Sequence, residues 1–334
     1  MRLRVGLDVS PLALTRAGAA RYIESLLAAL PAGEVDVRRY ELGGSSRALV
    51  PVRDVGWYLA ALPLRARFDA VDVLHCPTHR APVRSSVPLV VTLHDIAVLR
   101  HPELFNRWTR SYSRVVLPRV ARAAQLVIAA SEFTRGELLS LLDLPEEKVR
   151  VIPHAVGAPF VADGDAAFGD YVLTVGTLEP RKNLDRLVDG FERARGLNGS
   201  RLLVAGMRGW GGVDVAGDRV QQLGFVPDDE LARLYRGARC VAYLSAYEGF
   251  GLPLVEAMAC GSPVVAANAG SAPEVTGGAA VLVDPSDPDA IAAGLAEAVD
   301  RREELRALGL ERAQAFSWDA VARATVDVYR EAAA

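Results

Sequence analysis

The sequence predicts an α/β protein built from two doubly wound, Rossmann-like domains. Short apolar runs alternate with amphipathic helical stretches along the whole chain, a pattern typical of parallel strands joined by helices. The chain has 334 residues, which suits two domains of ordinary size better than a single core. A polar, loop-like stretch, Gly157–Asp165, separates the halves and is the expected linker.

Apolar runs in the first half predict strands, and amphipathic stretches predict helices. The predicted strands are Leu3–Val9, Val35–Leu42, Val71–Cys76, Leu89–Leu93, Leu126–Ala130 and Val149–Ile152. The predicted helices are Ala19–Ala29, Val55–Arg65, Pro102–Ala123 and Phe133–Leu142. Ser131 is the expected N-cap of the last helix, because its hydroxyl can accept a hydrogen bond from the first turn.

The same rhythm begins again in the second half. The predicted strands are Tyr171–Val175, Leu202–Ala205, Val220–Leu223, Val241–Leu244, Val264–Ala266 and Ala280–Val283. The predicted helices include Leu184–Ala194, Asp228–Arg236, Leu254–Cys260 and Asp289–Asp300, and the tail Ala313–Ala334 is helical by pattern. Two such domains are expected to bind a ligand in the cleft between them, at the carboxyl ends of their strands.

Composition limits the classes of function. The net charge of −3 offers no electrostatic case for binding nucleic acid. Cys76, Cys240 and Cys260 lack disulfide or metal-ligand spacing, so reduced thiols in a cytoplasmic protein are expected. The first apolar run is too short for a signal peptide, and no run approaches a membrane span. Any membrane contact is therefore expected at the surface.

The stretch Tyr247–Met258 predicts an anion site. It combines the end of a strand, a glycine-rich turn and a helix N-terminus with Pro253, so backbone N–H groups and the helix dipole converge. Glu248 and Glu256 beside a phosphate site suit ligand hydroxyls, which together indicate a nucleotide sugar. The alternative is a capped helix with a glutamate that only complements the dipole.

Two further positions carry reactive side chains at predicted strand ends. Val90–Leu93 delivers His94 and Asp95 to the carboxyl end of a buried strand, where a cleft is expected; a satisfied core or capping role is the alternative. Arg181 and Lys182 follow a strand and precede a helix. Cations are unfavourable there unless an anion is present, so they suit a diphosphate rather than a solvated charge pair.

These motifs resemble retaining GT-B glycosyltransferases of family 4 over nearly the whole chain. Glu248 and Glu256 match the E-x7-E element, and Gly176–Asn183 matches the family's glycine-to-lysine segment, although Thr177 stands where many members have Arg. Gly18 matches the glycine-rich donor loop, which has fewer glycines here, and His94 matches the histidine at the reaction centre. Asp163-Gly164-Asp165 superficially resembles a metal-binding D-x-D, but a linker turn explains it better.

The resemblance implies an acceptor-binding domain at 1–157, a donor domain at 166–315 and a helix at 316–334 that packs back on the first domain. It implies that Glu248 holds sugar hydroxyls, Glu256 the ribose, and His94 the developing positive charge, with Asp95 orienting His94 or binding a hydroxyl. Arg181 and Lys182 would stabilise the diphosphate. The remaining implied donor contacts are Gly18, Thr177, Val226, Leu231, Phe250, Gly251 and Leu252.

The implied reaction transfers a sugar with retention, using a nucleotide sugar as co-substrate and no metal or other cofactor. The Thr177–Asn183 variant with His94-Asp95 looks most like mannosyltransferases of surface polysaccharide assembly, so GDP-mannose is the leading donor and a UDP-sugar the alternative. A GT-B nucleotide-sugar 2-epimerase and a non-catalytic nucleotide-sugar binding module are rival classes. Basic, partly aromatic stretches at Trp57–Phe68 and Pro102–Ala123 suit a lipid-linked acceptor or anionic membrane, or are simply solvated faces.

Overall fold

The chain divides into two compact units, each with its own sheet. A computed structural model describes residues 2–13, 18–43, 52–105, 107–209, 211–213 and 215–334. Unit 1 comprises Met1–His154 together with Trp318–Ala334, and unit 2 comprises Ala155–Ser317. The end of the chain thus belongs to the same unit as its beginning.

Unit 1 contains a six-stranded parallel sheet in the order β2-β1-β3-β4-β5-β6. The strands are β1 (Leu3–Asp8), β2 (Val35–Tyr40), β3 (Val73–Cys76), β4 (Leu89–Leu93), β5 (Leu126–Ala129) and β6 (Val149–Val151). All six predicted strands are present. Strands β3, β4 and β5 are buried along their whole length, as expected for a parallel sheet covered on both faces.

Unit 2 contains a second six-stranded parallel sheet, in the order β12-β11-β10-β7-β8-β9. Its strands are β7 (Tyr171–Val175), β8 (Arg201–Ala205), β9 (Val220–Gly224), β10 (Cys240–Tyr243), β11 (Val264–Ala267) and β12 (Val281–Val283). This is the doubly wound order, which reverses direction between β7 and β10. Ligands bind such sheets at the carboxyl ends of the strands beside this reversal.

Twelve α-helices lie within the described residues. They are α1 (Gly18–Ala29), α2 (Leu62–Phe68), α3 (Ala97–Arg100), α4 (Arg107–Ala123), α5 (Glu132–Leu142), α6 (Leu184–Arg193), α7 (Asp228–Gly237), α8 (Leu252–Ala259), α9 (Ala272–Thr276), α10 (Pro288–Asp300), α11 (Arg302–Ala313) and α12 (Trp318–Ala333). The predicted N-cap of α5 is confirmed, because the Ser131 hydroxyl accepts from the Thr134 N–H at 3.0 Å.

Three helix predictions were wrong in detail. The stretch predicted as a helix over Val55–Arg65 is a π-helical segment, Val52–Ala61, that continues into α2. The helix predicted from Pro102 begins only at Arg107, because Pro102–Leu104 forms a 3₁₀ turn and Phe105 is extended. The tail predicted as helical over Ala313–Ala334 is a single helix, α12, that begins only at Trp318, because Ala313 is the last residue of α11.

Helix α12 is anchored in unit 1 by both apolar and polar contacts. Tyr329 is fully buried, and its hydroxyl lies 2.7 Å from Nδ1 of His75 on β3. At the surface Arg330 pairs with Glu34 at 2.5 Å, and Arg150 pairs with Glu331. The three cysteines are free and buried, as their apolar sequence contexts predicted.

Candidate functional site

The candidate site of unit 2 lies at the reversal of its strand order. Two loops meet there: one follows β7 and contains a 3₁₀ turn at Pro180–Lys182, and the other follows β10 and leads into α8. Asn183 adopts the left-handed conformation (φ 57°) and ends the turn. This local geometry brings Arg181 and Lys182 against Glu248.

Glu248 forms two short ion pairs at this point. Its Oε1 lies 2.6 Å from Nζ of Lys182, and its Oε2 lies 2.7 Å from Nη1 of Arg181. The Glu248 side chain is only 13% exposed. Burial alone would raise the pKa of Glu248, but the two cations outweigh it and hold the pKa at about 2. The carboxylate is therefore ionised at neutral pH and can accept hydrogen bonds, but it cannot serve as a general acid.

Lys182 is fixed by a tyrosine that the sequence did not single out. The Lys182 ammonium donates to the Tyr243 hydroxyl at 2.9 Å and lies 4.7 Å from the centre of that ring. Burial would lower the pKa of Lys182, but Glu248 raises it to about 12. Tyr243 is the last residue of β10. Lys182 is therefore a permanent cation held by a buried strand.

Arg181 is likewise fixed by a residue that sequence reasoning missed. Its Nη2 and Nε both donate to Oε1 of Glu179, at 2.6 and 3.0 Å, and its Nη1 donates to the Tyr247 carbonyl at 2.8 Å. Glu179 is 2% exposed. The E-x-R spacing of Glu179 and Arg181 could have indicated this contact from the sequence, because an acid two residues from an arginine in a tight turn can accept its hydrogen bonds.

The two cations are already balanced by carboxylates, which the prediction of a basic diphosphate site did not anticipate. Arg181 and Lys182 contribute two positive charges, and Glu179 and Glu248 two negative ones. A bound anion would therefore compete with Glu248 for the cations. The backbone N–H groups at the start of α8 add a source of positive potential that is independent of these pairs.

The turn before α8 requires its glycine. Gly251 has φ 89° and ψ 59°, and an added Cβ would come 3.0 Å from Cδ1 of Leu254. Helix α8 begins at Leu252, two residues before the predicted start at Leu254, and Phe250 is buried and packs edge-on against Phe316 at 5.6 Å. The loop before α9 also contacts this turn, because the Ser271 N–H and hydroxyl donate to the Glu248 carbonyl at 3.2 and 3.1 Å.

The second glutamate of the pair has a different environment from the first. Glu256 lies on α8, is 2% exposed and accepts a hydrogen bond from the Tyr235 hydroxyl at 3.0 Å. Leu231 is buried on α7, whereas Val226 and Thr177 are partly exposed in loops. The donor contacts assigned to these four residues stay predictions.

In unit 1 the ring of His94 is held by two groups other than Asp95. Nε2 of His94 lies 2.9 Å from the Pro77 carbonyl oxygen, and Nδ1 lies 3.0 Å from Nε2 of His154. Asp95 instead accepts from the Ala97 N–H at 2.9 Å and so caps α3. The expectation that Asp95 orients the His94 ring was therefore wrong. Burial lowers the pKa of His94, which keeps the ring neutral.

The structure also places the predicted donor-loop glycine, Gly18, and the Asp-Gly-Asp segment. Gly18 is the first residue of α1 and belongs to unit 1. Gly164, between Asp163 and Asp165, has φ 124°, a backbone conformation that favours glycine, and all three residues lie within unit 2 rather than in a separate linker. Within the described ranges, no group of three or more His, Cys, Asp or Glu side chains is arranged to hold a metal ion.

Two family models match the chain in succession. The model described as Glycosyltransferase Family 4 matches residues 16–157, and the model described as Glycosyl transferases group 1 matches residues 169–314. O-antigen chain mannosyltransferase B from Escherichia coli is 34% identical over 283 residues, which cover 77% of this chain and 74% of that protein. The MMP alpha-(1->4)-mannosyltransferase from Mycolicibacterium hassiacum is 31% identical over 274 residues, covering 74% of this chain and 66% of that one.

Solved structures show the same fold over the whole chain. Sucrose-phosphate synthase from Thermosynechococcus elongatus has a TM-score of 0.79 at 21% identity, covering 99% of both chains. Anabaena HepE in complex with UDP-glucose has a TM-score of 0.75 at 20% identity, covering 99% of this chain and 100% of that one. The protein is thus a glycosyltransferase with the two-domain α/β GT-B fold. It belongs to glycosyltransferase family 4.

Proposed function

We propose that this protein transfers mannose from GDP-mannose to a hydroxyl of a glycan or lipid-linked acceptor, with retention of anomeric configuration and without a metal. The observation that carries the proposal is the ionised Glu248 held between Arg181 and Lys182 at the strand reversal of unit 2. The two curated mannosyltransferase relatives support mannose as the sugar. Surface polysaccharide assembly in the cytoplasm is the proposed setting.

The charges suggest how the donor is used. A donor diphosphate takes over part of the interaction that Arg181 and Lys182 make with Glu248, so the cations stabilise the leaving group where charge develops. The freed Glu248 carboxylate accepts hydrogen bonds from sugar hydroxyls. The bond from the anomeric carbon to the phosphate oxygen breaks and one to the acceptor oxygen forms on the same face. The acceptor proton passes to the released diphosphate.

The second candidate donor is a UDP-sugar, because the structural relative HepE is described in complex with UDP-glucose. The test is to incubate the purified protein with GDP-mannose, UDP-glucose and other UDP-sugars, with and without EDTA, and to measure transfer and hydrolysis. Turnover of GDP-mannose that is insensitive to EDTA, with an axial product anomer by NMR, supports the proposal. Activity with UDP-sugars alone contradicts the choice of donor.

The same nucleotide sugars also test two rival classes of protein. A nucleotide-sugar 2-epimerase would convert the donor to its epimer with no acceptor present, which NMR of the donor would show. A binding module would bind the nucleotide without turnover, and Glu248→Ala would then change affinity alone. The paired acid and cations favour an enzyme over a binding module, because they suit a group that gains negative charge during a reaction, and dependence on an acceptor then separates a transferase from an epimerase.

A peripheral contact with an anionic membrane or lipid-linked acceptor belongs to the same proposal. An open depression of about 880 Å³ in unit 1 is lined mainly by basic and apolar side chains of β2 and α2, with one acid; the lining residues are Arg38, Arg39, Tyr40, Leu64, Arg65, Arg67, Phe68 and Asp69. We call this surface the arginine patch. Phe68 is 91% and Leu64 64% exposed, whereas Trp57 and Tyr58, which the sequence had suggested for this surface, are buried. In the described part of the chain, no helix is long and apolar enough to cross a membrane.

A further inference from the structure

A direct hydrogen bond joins two histidine rings of unit 1, one just after β4 and the other just after β6. Nδ1 of His94 is 3.0 Å from Nε2 of His154, and the ring centres are 4.8 Å apart. His154 is 4% exposed and lies just after β6. The Tyr22 ring packs against both imidazoles, at 5.0 and 4.9 Å between centres. The two rings are therefore held together rather than meeting by chance at a surface.

The partners of His94 determine where its proton lies. The Pro77 carbonyl oxygen, 2.9 Å from Nε2, can only accept, so Nε2 carries a hydrogen. Because burial keeps the ring neutral, Nδ1 then has a lone pair and must accept from its neighbour. Nε2 of His154 is therefore the donor. Burial lowers the pKa of His154 as well, so both rings are neutral and each carries its hydrogen on Nε2.

We infer that His154 is a positioning residue that fixes both the orientation and the neutral state of His94. While His154 keeps its hydrogen on Nε2, a proton added to Nδ1 of His94 would face that N–H, so the hydrogen bond in this tautomer opposes the charged form of His94. The inference rests on the proposed function in one respect: it takes His94 to lie at the reaction centre. A charged imidazole there would repel the positive charge that develops on the transferred sugar, whereas a neutral one does not.

Other titratable or charged groups surround the ring pair without replacing this bond. They are Tyr22, His75, His79, Arg80 and Asp95. The Asp95 carboxylate favours the charged form of His94, but its Oδ1 is bonded to the Ala97 N–H. His75 and His79 are themselves kept neutral by burial, which lowers the pKa of each to about 3. His154 is thus the group that bonds the second ring nitrogen of His94.

The state of the rings can be measured without reference to activity. In protein labelled with ¹⁵N-histidine, two-bond ¹H–¹⁵N spectra distinguish a neutral ring with hydrogen on Nε2 from the other tautomer and from the cation. We expect His94 and His154 both to show the neutral Nε2–H pattern from pH 8 to pH 6. Assignment uses His94→Gln and His154→Gln. A charged His94, or hydrogen on its Nδ1, at pH 7 overturns the inference.

Substitutions test the positioning role. His154→Ala removes the donor and frees the His94 ring, so we expect kcat for sugar transfer to fall by about 10- to 100-fold, the effect of a misplaced group at a reaction centre. The affinity for GDP should change little, because the proposed diphosphate contacts of Arg181 and Lys182 lie in unit 2. His154→Gln supplies an N–H near the position of Nε2 and should restore most of kcat. His101→Gln is the control, since His101 lies after α3 and pairs with Glu103 at 3.4 Å.

The outcomes separate this inference from the proposed function. Equal losses in His154→Gln and His154→Ala, with both proteins folded by circular dichroism, overturn the positioning role. So does full kcat in His154→Ala. If the wild-type protein transfers no sugar at all, the proposed function fails, and the NMR spectra still decide whether the ring pair is neutral and oriented as described.

Discussion

The two units place different kinds of polar groups at the carboxyl ends of the same type of sheet. In unit 2 the residues after β7 and β10 are ions: Glu248 bridges Arg181 and Lys182, with all three side chains at most 15% exposed. In unit 1 the corresponding edge carries histidines that burial keeps neutral, with His75 bonded to Thr92 at 2.8 Å and His94 bonded to His154, while the Asp95 carboxylate after β4 is bonded to the Ala97 N–H. The contrast is one of charge, not of topology.

This contrast fits a division of labour. A diphosphate needs permanent cations, and unit 2 keeps Arg181 and Lys182 charged by pairing them with acids until an anion arrives. A sugar that gains positive charge is better served by neutral neighbours, and unit 1 keeps its histidines uncharged by burial. If this division is correct, a charge change in unit 2 should affect how the diphosphate is bound or released. A charge change at the histidines of unit 1 should instead affect sugar transfer.

The largest effect is expected for Glu248→Gln. The amide keeps the shape but removes the charge that accepts hydrogen bonds from the sugar hydroxyls, so we expect kcat to fall by about 10²- to 10³-fold, as when one preorganised hydrogen-bonding group of a reaction centre is removed. Affinity for GDP should stay equal or increase, because Arg181 and Lys182 lose a competing carboxylate. Turnover assays and calorimetry with GDP measure the two effects separately.

Glu230→Gln is the matched control for that experiment, because Glu230 is an exposed glutamate on α7 of the same unit. It should alter neither quantity. A Glu248→Gln protein with wild-type turnover, or one in which GDP affinity and turnover fall together, would contradict the picture of a carboxylate that shares its cations with the ligand.

Removing a cation should affect binding instead. Lys182→Met keeps most of the side-chain volume and deletes the charge held by Tyr243 and Glu248. We expect GDP to bind about 30- to 100-fold more weakly, the usual cost of truncating one member of a buried charge pair, and GMP to lose less. Lys148→Met is the control, since Lys148 is the chain's other lysine and lies in unit 1. Equal losses for GDP and GMP would argue against a diphosphate contact.

The sequence predicted the elements well and the partners of the site residues poorly. Strands such as Leu89–Leu93 were predictable because a strand buried on both faces is a continuous apolar run bounded by turns. Arg181, Lys182 and Glu248 were found because ions beside glycine turns are conspicuous. That they meet depends on the pairing of β7 with β10, whose sequence separation carries no local signal.

The missed residues His154 and Tyr243 share one physical property, because their roles arise from contacts distant in the chain, whereas the missed Glu179 is only two residues from Arg181. His154 is 60 residues from His94, and Tyr243 is 61 from Lys182. Asp95 was misassigned for the opposite reason. Its adjacency to His94 suggested a pair, whereas a nearby backbone N–H, that of Ala97, satisfies it. Burial of Trp57 and Tyr58 likewise depends on Asp8, which accepts from the Tyr58 hydroxyl at 3.0 Å.

Acid should weaken unit 1 before unit 2. Burial lowers the pKa of His75 from 6.5 to about 3, so between these values the unfolded chain binds a proton that the folded chain does not. Stability is therefore complete above pH 6.5 and lost on acidification; at pH 5 one such histidine costs about 2 kcal/mol, or ~30-fold in the unfolding equilibrium. For Glu248, whose folded pKa is about 2 against 4.5, the loss begins only below pH 4.5.

Hydrogen–deuterium exchange on the whole protein measures this difference. After correction for intrinsic rates, peptides from β3 and β4 should lose protection between pH 7 and pH 5, while those from β7 and β10 should not. His75→Asn should reduce the pH dependence in unit 1 by about one proton. Uniform loss across both sheets, or loss first in β7 and β10, would show that neutral histidines do not set the acid sensitivity.

The smallest predicted effect is on vesicle binding by the arginine patch, a charged surface of unit 1. Arg38 and Arg67 of the arginine patch are both exposed, near the apolar side chains of Leu64 and Phe68. Each arginine near an anionic bilayer contributes about 1 kcal/mol, so Arg38→Gln with Arg67→Gln should weaken binding to phosphatidylglycerol vesicles by roughly 10- to 30-fold at low salt. Arg195→Gln with Arg233→Gln, two exposed arginines of unit 2, is the matched control. Salt screens all surface charges alike, so salt dependence alone cannot locate the membrane contact. The contact lies on unit 1 only if the Arg38/Arg67 variant loses vesicle binding, the Arg195/Arg233 variant does not, and neither variant differs from wild type with phosphatidylcholine vesicles. Equal losses for both pairs would assign it to the general charge of the protein, and the arginine patch would then have no special role.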